Sequence, residues 1–430
     1  MTQHTEAKKK FLFLQGPHGP FFNRLGRMLR MAGADTYRVG FNAGDQFFWS
    51  DAKTYMAFTD TPEAWPGYFS DLIARLGITD IVLYGDTRPI HAEAVKTAQK
   101  NNLQVHVFEE GYLRPYWVTY ERGGTNGHSR LMGLSVENMR EALAGSDHDR
   151  TEAPDHWGDM RQHVYYGALY HWFVMFRNQQ YSQFRRHRDL PVSREFQLYF
   201  KRLLMMPLHW ADRVRSTARI RNGGYPYHLA LLQLEHDSSF VMHSPFAEMS
   251  EFLNLVIEGF ASSAPRHHHL VFKAHPLETG RRNLRGEILE IATKYGVSDR
   301  VHHVRGGKLA ALLDHARSAV TVNSTAGQQV LWRGLPLKVF GEAVYDKPEF
   351  VSTQPITEFF KSPNRPTAGA YGEFRQYLLE TSQIAGGFYS LRGRRQLLRL
   401  VVDLMLAADD PYDALLAGTA APRQALRVVN

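Results

Sequence analysis

Short apolar runs followed by longer amphipathic stretches recur in two blocks of this chain, residues 11–115 and 227–341. In each block an apolar run of about four residues, a length typical of a buried strand, precedes a helical stretch. The first block carries such runs at 11–14, 37–41, 81–84 and 105–108. Strands that alternate with helices usually form parallel sheets. The pattern therefore predicts two doubly wound, Rossmann-like α/β domains.

The second block predicts strands at 227–234, 240–243, 270–272, 301–304, 319–322 and 337–340. We expect Ser244 to cap the helix that follows, because Pro245 then occupies the first helical position, which proline favours. Turn-forming residues at 222–226 mark the clearest domain boundary. Four segments are predicted: an N-terminal Rossmann-like domain (1–150), a basic aromatic helical segment (151–225), a C-terminal Rossmann-like domain (226–350) and C-terminal helices that pack back (351–430).

Composition limits the possible classes of protein. The chain has 430 residues, of which 43% are hydrophobic and 22% charged, and it has no cysteine. This length suits two or three domains, and the lack of cysteine excludes a disulfide scaffold and cysteine-ligated zinc. No apolar run is long enough to span a membrane, and residues 1–10 lack the apolar core of a signal peptide. We therefore expect a cytoplasmic protein.

The positive charge is concentrated in one segment. Residues 176–221 hold eleven Lys/Arg against three Asp/Glu, an excess equal to the formal net charge of +8 of the whole chain. Aromatic and methionine side chains are interleaved with these charges. Such a segment suits an anionic partner, either a nucleic acid or an anionic membrane surface. A helical insertion with a merely solvated basic face explains the composition equally well.

Charged side chains gather where two neighbouring strands of the first block end. They are Asp86, Arg88, Glu109, Glu110 and Arg114. Parallel strands open at the same sheet edge, where open α/β sheets bind ligands. Unpaired charges there are costly, so these residues form either an ion-pair network that holds loops or a functional site.

Two positions in the second block are candidates for binding a phosphate group. Ser324, Thr325 and Gly327 follow a predicted strand and precede a helix, where free N–H groups favour an anion. Lys273 and His275 follow a neighbouring strand and add donors. Plain helix capping by the hydroxyl groups and a simple turn at the histidine are the alternatives.

Adjacent histidines occur at 267–269 and 302–303. Neighbouring residues on a strand point to opposite faces, and no carboxylate stands at ligand spacing. We therefore expect these histidines to be surface residues and predict no metal site.

A sharper comparison comes from five motifs, found in order along residues 11–350. They read Gly16-Pro17-x-Gly19-Pro20-Phe21-Phe22, Tyr84-Gly85-Asp86-x-Arg88-Pro89, Glu109-Glu110-Gly111-Tyr112-x-Arg114-Pro115, Lys273-x-His275-Pro276 and Asn323-Ser324-Thr325-x-Gly327. Together they resemble the capsule polysaccharide biosynthesis/export family of Gram-negative bacteria, within it the KpsS/LipB-like proteins. The resemblance implies a GT-B-like fold: two Rossmann-like domains facing a cleft, with a basic helical insertion and C-terminal helices.

The resemblance also implies a function. Members look like retaining β-Kdo glycosyltransferases that use CMP-Kdo as donor substrate, with no cofactor and no metal. They start the Kdo linker on a (lyso)phosphatidylglycerol lipid in capsular polysaccharide biosynthesis, as peripheral proteins on the cytoplasmic face of the inner membrane. The implied partners are the CMP-sugar, an anionic phospholipid acceptor, the membrane surface and other capsule assembly proteins, but no nucleic acid.

Roles for individual residues follow from the same resemblance. Glu110 would attack the anomeric carbon, and Glu109 or Asp86 would take the acceptor proton. The residues implied in donor binding are His275, Lys273, Ser324, Thr325, Gly327, Ser244 and Glu342. Those implied in binding the Kdo carboxylate or the acceptor are Arg88, Arg114, Gly16 and Asn23. In the longer sister transferases aspartate stands at the Glu110 position, and a Gln-Pro motif stands where this chain has 341–343.

Three alternatives remain open at this point. The chain could be a GT-B transferase with another nucleotide-sugar donor, which a donor panel would reveal. It could be a non-catalytic export or scaffold protein that binds polysaccharide or lipid. It could also bind nucleic acid, although that hypothesis rests on the basic segment alone and leaves the carboxylates without a role.

Overall fold

The computed structural model describes residues 8–144, 161–184, 197, 204–278 and 280–420. The chain divides into two compact units. The first unit combines Met1–Arg130, Glu141–Asp189 and Gln376–Asn430, and the second combines Leu131–Arg140 and Leu190–Arg375. Parts of the predicted basic segment, at 151–160, 185–196 and 198–203, lie outside the described residues.

The first unit is built on a seven-stranded sheet. Its strands are β1 (Lys10–Phe13), β2 (Asp35–Gly40), β3 (Tyr55–Ala57), β4 (Asp80–Tyr84), β5 (Gln104–Glu110), β6 (Trp117–Arg122) and, from the end of the chain, β12 (Gln383–Ala385). The order is β12-β6-β5-β4-β1-β2-β3. The strands β1 to β5 are parallel in the Rossmann order, whereas β6 and β12 extend the sheet by antiparallel pairing.

Both faces of this sheet are covered, which explains why its strands read as unbroken apolar runs. In β1, Phe11 and Phe13 face the helix Leu391–Leu406 near the end of the chain. The leucines of the same strand face the helix Trp65–Leu76. The helices of this unit are Phe21–Met31, Ala43–Phe47, Trp65–Leu76, Pro89–Lys100, Arg161–Phe176, Leu391–Leu406 and Pro411–Leu416.

The second unit is built on a five-stranded, fully parallel sheet. Its strands are β7 (Tyr227–Leu231), β8 (His269–Lys273), β9 (Val301–Val304), β10 (Ala316–Thr321) and β11 (Leu337–Val339), in the order β11-β10-β7-β8-β9. Its helices are Met206–Asn222, Ser238–His243, Met249–Ser263, Leu284–Lys294, Ala310–Leu313, Gly327–Leu331 and Ile356–Lys361. Two further helices, Val136–Leu143 and Ala370–Thr381, cross the limits of the units. The predicted α/β class with parallel, Rossmann-like sheets is confirmed.

One predicted strand is wrong. Residues 240–243 lie in the helix Ser238–His243, in which Phe240 and His243 are buried and the two residues that separate them are exposed. This three-residue spacing is helical, and a four-residue apolar run is too short to show it. The predicted cap is also wrong: Ser244 follows this helix, its hydroxyl accepts from the N–H of Phe246 at 3.0 Å, and the next helix begins only at Met249.

Among the helices that the structure describes, none is both long and apolar enough to cross a membrane.

Candidate functional site

Each sheet has one point at which the strand order reverses, and α/β proteins bind ligands beyond the strand ends at such a point. In the first unit it lies where β1 is next to β4, and in the second where β7 is next to β10. The predicted site residues follow these strands or their neighbours.

In the first unit the edge carries three carboxylates. Pairing of Tyr84 with Phe108 aligns the ends of β4 and β5, so Asp86 and the pair Glu109 and Glu110 come to the same edge. The glycine after β4 lets them approach, because a Cβ at Gly85 would lie only 3.0 Å from Glu109 Oε2. Gly85 also has a positive φ of 68°, which a side chain would disfavour.

Burial is the main influence on Glu109 and raises its pKa to about 7. The N–H of Glu110 donates to Glu109 Oε1 at 3.2 Å and opposes this rise, as does the charge of Arg88. The negative charges of Glu110 and Asp86 reinforce it. Glu109 can therefore release or take up a proton near neutral pH.

Glu110 is surrounded by aromatic side chains, of which only Tyr84 belongs to a sequence motif. The hydroxyl of Tyr84 donates to Glu110 Oε1 at 3.3 Å. Burial, followed by the charge of Glu110, raises the pKa of Tyr84 and of Tyr389 well above the usual value, so both phenols stay protonated. The ring of His163, on the helix Arg161–Phe176, packs edge-on against Tyr389 with centroids 4.2 Å apart. Burial lowers the pKa of His163, and the charge of Glu110 opposes that shift.

One of the two carboxylate oxygens of Asp86 holds a neighbouring loop. Its Oδ2 accepts the N–H of Thr125 at 3.0 Å and lies 3.1 Å from His128 Nδ1, which ties the loop after β6 to this edge. Its Oδ1 is buried and has no hydrogen-bond partner among the described residues. One carboxylate oxygen is thus available for another donor.

The two predicted arginines of this unit, Arg88 and Arg114, have different surroundings. The guanidinium carbon of Arg88 lies 5.5 Å from the centroid of the Tyr84 ring. Arg88 therefore lies at the same sheet edge as the three carboxylates. The exposed Arg114 donates from Nε to the carbonyl of its own loop, at Gly111, at 3.3 Å.

Gly16 and Asn23 support the packing of neighbouring segments. A Cβ at Gly16 would come within 2.5 Å of the Phe22 ring, so the glycine permits that packing. The side-chain oxygen of Asn23 accepts both the N–H and the hydroxyl of Ser50, at 3.1 and 3.0 Å. Its side chain therefore holds the loop that contains Ser50.

In the second unit the end of β8 presents a buried cation. Lys273 is 6% exposed, pairs in register with Leu231 of β7, and has no carboxylate within 4.0 Å among the residues that the structure describes. Burial lowers its pKa to about 8. A desolvated ammonium group without an acidic partner favours the binding of an anion.

His275 follows Lys273 and the intervening alanine. Its Nδ1 accepts the N–H of Leu277 at 3.1 Å. In the neutral ring this assigns the proton to Nε2, which makes that nitrogen a donor.

The stretch 324–327 forms a tight turn at the end of β10. The hydroxyl of Ser324 accepts the N–H of Ala326 at 3.2 Å, and its carbonyl accepts the N–H of Gly327 at 2.9 Å and the hydroxyl of Tyr345. A Cβ at Gly327 would lie 2.6 Å from Tyr345 Oη. The Ser324 hydroxyl therefore closes the turn and does not cap the helix Gly327–Leu331, whose N-cap is Ala326, and the partly exposed Thr325 keeps a hydroxyl at the turn.

Two side-chain pairs at this edge bring together residues that are distant in the sequence. Gln233 and Asn323, which follow β7 and β10, form a reciprocal pair: Gln233 Nε2 donates to Asn323 Oδ1 at 2.6 Å, and the N–H of Asn323 donates to Gln233 Oε1 at 3.2 Å. The buried ring of His243 lies 2.9 Å from the exposed carboxylate of Glu342. Ser244 is adjacent, so the structure brings it together with Glu342 at His243. No periodicity marks these polar residues.

The histidines at 267–269 and 302–303 lie at the start of β8 and within β9, and the expectation that they are surface residues is wrong for His268, which is buried. His228 of β7 lies 2.7 Å from Ser318 Oγ and 3.1 Å from His268 Nδ1. Burial lowers the pKa of His228 to about 3 and that of His268 to about 4, so both are neutral. Among the described residues, no group of three or more His, Asp or Glu side chains has the geometry of a metal site.

The fold and these residues define an α/β protein of two units. The first unit carries a cluster of carboxylates at the edge of its sheet, and the second carries a buried lysine at the edge of its own sheet. The family model of the capsule polysaccharide biosynthesis proteins matches residues 79–389. The chain is 30% identical to the capsule polysaccharide export protein KpsS of Escherichia coli over 89% of its length and 97% of that protein. It is equally identical to the capsule polysaccharide modification protein LipB of Neisseria meningitidis serogroup A, over 90% of its length and 93% of LipB. The chain belongs to the capsule polysaccharide biosynthesis protein family, as the motifs predict.

Solved structures show a weaker similarity. The β-Kdo 2,7 transferase of Thermosulfurimonas dismutans KpsC aligns over 92% of this chain and 100% of that structure, with a TM-score of 0.44 and 12% sequence identity.

Proposed function

We propose that this protein is a retaining β-Kdo transferase that moves Kdo from CMP-Kdo to an anionic phospholipid of the phosphatidylglycerol type. Family membership supports a role in capsule polysaccharide biosynthesis, and the five motifs support the donor. The observation that carries the chemistry is the pair Glu109 and Glu110, two neighbouring carboxylates in different environments. Retaining transfer by double displacement uses two such groups, one nucleophile and one proton carrier.

Glu110 is the proposed nucleophile. Its carboxylate oxygen forms a bond to the anomeric carbon of Kdo while the bond from that carbon to the phosphate oxygen breaks, and CMP leaves with the electron pair. The leaving phosphate needs no proton, so no acid is required in this step. The Tyr84 hydroxyl, which donates to Glu110 Oε1, orients the carboxylate.

Glu109 is the proposed base of the second step. The acceptor hydroxyl attacks the anomeric carbon, the bond from that carbon to Glu110 breaks, and the hydroxyl proton passes to Glu109. Its pKa of about 7 suits a group that must take and release a proton near neutral pH. Asp86 is the weaker candidate for this role, because one of its oxygens already binds the loop at Thr125.

Residues of the second unit are assigned to the CMP moiety. Lys273 supplies a desolvated positive charge for the phosphate, and His275 Nε2 supplies a hydrogen-bond donor. Thr325, at the turn after β10, adds a hydroxyl group. We assign the Kdo carboxylate to Arg88, since a guanidinium group can bind a carboxylate with two hydrogen bonds.

One helix of the first unit supports a lipid acceptor. The helix Arg161–Phe176 carries His163 toward Tyr389 and Glu110 on one side. On its outer side Tyr165 and Phe176 are about 60% exposed, at 62% and 58%. Large apolar side chains left exposed next to a carboxylate site suit an acceptor with an acyl chain. We further propose that the protein works on the cytoplasmic face of the inner membrane, beside other capsule assembly proteins, and needs no divalent metal.

The test is transfer from CMP-Kdo to a fluorescent lysophosphatidylglycerol in the presence of EDTA, with the wild type, Glu110→Gln and His275→Ala. We expect the wild type to add Kdo and Glu110→Gln to lose at least about 10³-fold in rate, because the nucleophile is gone. His275→Ala should mainly raise the KM for CMP-Kdo. Glu358→Gln, an exposed glutamate of the second unit, is the control.

The other outcomes separate the alternatives. Transfer from a UDP- or GDP-sugar but not from CMP-Kdo would replace the donor and keep the transferase. CMP binding without transfer to any phospholipid would contradict the acceptor. Neither transfer nor CMP binding would favour a non-catalytic export or scaffold role.

A further inference from the structure

The helix Met206–Asn222 of the second unit has its polar and apolar faces reversed relative to an ordinary surface helix. The side that packs on the unit is largely polar: His209 Nε2 lies 3.0 Å from Arg305 Nη1, and Asp212 lies 3.9 Å from Arg285. Ile220 is the buried apolar side chain of this face. A surface helix of a soluble domain normally turns its apolar stripe inward.

The outward side is apolar. Met206, Trp210 and Val214 follow one another at a spacing of four residues, which places them on one face, and they are 53%, 57% and 46% exposed. The exposed Leu204 and Leu208 widen this surface at its start. So many large apolar side chains on one short stretch mark an interaction surface.

Three arginines of the same helix have no acidic partner in the part of the unit that the structure describes. Arg215, Arg219 and Arg221 are exposed and, among the described residues, have no carboxylate within 4.0 Å. The apolar side chains precede these arginines along the helix. Apolar side chains that enter the interface, with arginines at the depth of anionic headgroups, are the pattern of a helix that lies in a membrane surface.

We propose that the exposed surface of this helix, formed by Met206, Trp210, Val214 and Arg221 on one side and by Leu208, Arg215 and Arg219 beside them, docks the protein on an anionic phospholipid bilayer. A second copy of the chain fits less well, because a two-fold contact would set arginine against arginine. A nucleic acid would leave the methionine, tryptophan and valine without partners. The inference deepens the proposed function, since a phospholipid acceptor must be reached at a bilayer.

The experiment measures co-sedimentation of the full chain with vesicles of phosphatidylglycerol and phosphatidylethanolamine, and with neutral phosphatidylcholine vesicles. One variant combines Trp210→Ser and Val214→Ser, and a second combines Arg215→Gln, Arg219→Gln and Arg221→Gln. These side chains are exposed, so folding should persist, and circular dichroism checks it. The matched controls in the same unit are Leu289→Ser, at an exposed leucine, and the triple change Arg266→Gln, Lys294→Gln and Lys361→Gln.

We expect the wild type to bind the anionic vesicles and not the neutral ones. The apolar variant should bind about 10-fold more weakly or worse, and the arginine variant on the order of 100-fold more weakly, with most of the salt dependence lost. Both controls should bind like the wild type. Equal binding by wild type and apolar variant, or no binding by the wild type, would overturn the proposal.

Two further measurements keep this proposal separate from the catalytic one. Transfer to a short-chain, fully dissolved acceptor should be unchanged in both variants, so loss of all transfer would concern the catalytic assignment and not the docking face. Sedimentation velocity tests the competing occupant. A wild-type dimer that the apolar variant dissociates, together with unchanged vesicle binding, would assign the face to a second copy and overturn the bilayer proposal.

Discussion

Glu109 and Glu110 are adjacent in the chain, yet their surroundings separate their roles. Consecutive residues of a strand point in opposite directions, so one carboxylate turns toward Gly85 and the other toward the Tyr84 hydroxyl. Burial raises the pKa of Glu109. A carboxylate acts as a general base only in its deprotonated form, so the rate of transfer should depend on pH.

We expect kcat/KM for the acceptor to rise with pH and to level off above a midpoint near 7, because Glu109, with its pKa of about 7, acts in its deprotonated form when the acceptor attacks. Glu109→Gln should remove this limb of the profile and lower the plateau by about 10²–10⁴-fold. An initial-rate series from pH 5.5 to 8.5 measures both. A limb that persists unchanged in Glu109→Gln would assign the base to another residue, and Asp86→Asn is the variant to compare.

A second prediction concerns Lys273, whose pKa burial lowers to about 8. The ammonium form exists below that pKa, so affinity for CMP should fall as pH rises above 8. Calorimetric titration of CMP at pH 7 and pH 9 with the wild type should show this loss, and Lys273→Ala should bind about 10-fold more weakly or worse at pH 7 and lack the pH dependence. Equal affinities of wild type and Lys273→Ala would exclude the lysine from the donor site.

Residue types and positions show how far a sequence can predict such a site. The charges that follow β4, β5 and β8 are visible in the sequence because strand ends can be located from apolar runs. His163 and Tyr389 are not, because aromatic side chains usually belong to a core. Their proximity to Glu110 depends on a helix and a chain end distant in sequence. Asn23 shows a contact that the sequence does not reveal, since its side chain holds the loop that contains Ser50, and its role in binding the acceptor stays a prediction.

At the scale of elements, most of the parallel strands of both sheets were predictable, whereas the antiparallel strand β12 and the short helix Ser238–His243 were not. Apolar runs locate β1, β4, β8 and β10 to within a few residues, because both faces of a parallel sheet are buried. The antiparallel strand β12 arises from the end of the chain and pairs with β6, a choice that no local pattern encodes. Residues 240–243 show that a four-residue apolar run cannot separate strand from helix.

One buried carboxylate couples elements of the first unit. Glu121 of β6 accepts the hydroxyls of Tyr112 at 2.7 Å, Ser129 at 2.5 Å and, from the helix Pro411–Leu416, Tyr412 at 3.0 Å. Burial raises its pKa from the ordinary 4.5 to about 7. The folded chain therefore keeps a proton that the unfolded chain loses between these values.

This difference in the pKa of Glu121 determines how the free energy of unfolding changes with pH. Glu121 favours the folded state below pH 4.5, and that contribution is lost as pH rises toward 7, by up to about 3 kcal/mol. Glu121→Gln should flatten the decline in the free energy of unfolding across this range, as measured by urea denaturation at pH 5, 6 and 7. Glu109 changes in the same direction, so Glu109→Gln is the comparison and Glu358→Gln the control. A decline in Glu121→Gln as steep as in the wild type would contradict the assignment.

At the scale of the whole molecule, the proposed chemistry is divided: the second unit binds CMP, and the first makes and breaks bonds. This division predicts how two variants fail. Glu110→Gln should lose transfer and bind CMP with unchanged affinity, whereas Lys273→Ala should bind CMP weakly and retain most of its kcat at saturating donor, because the carboxylates are intact.

Hydrogen exchange on the full chain tests the same division without any variant. Added CMP should protect the backbone amides at 273–278 and 323–328, at the ends of β8 and β10, and leave those at 85–88 and 109–111 exchanging as before. Adding a non-transferable CMP-Kdo analogue should extend protection to the carboxylate edge, since the sugar then engages Glu110 and Arg88. Protection of the 109–111 stretch by CMP alone would mean that the nucleotide itself binds at the carboxylates, and the assignment of Lys273 and His275 to the donor would have to be withdrawn.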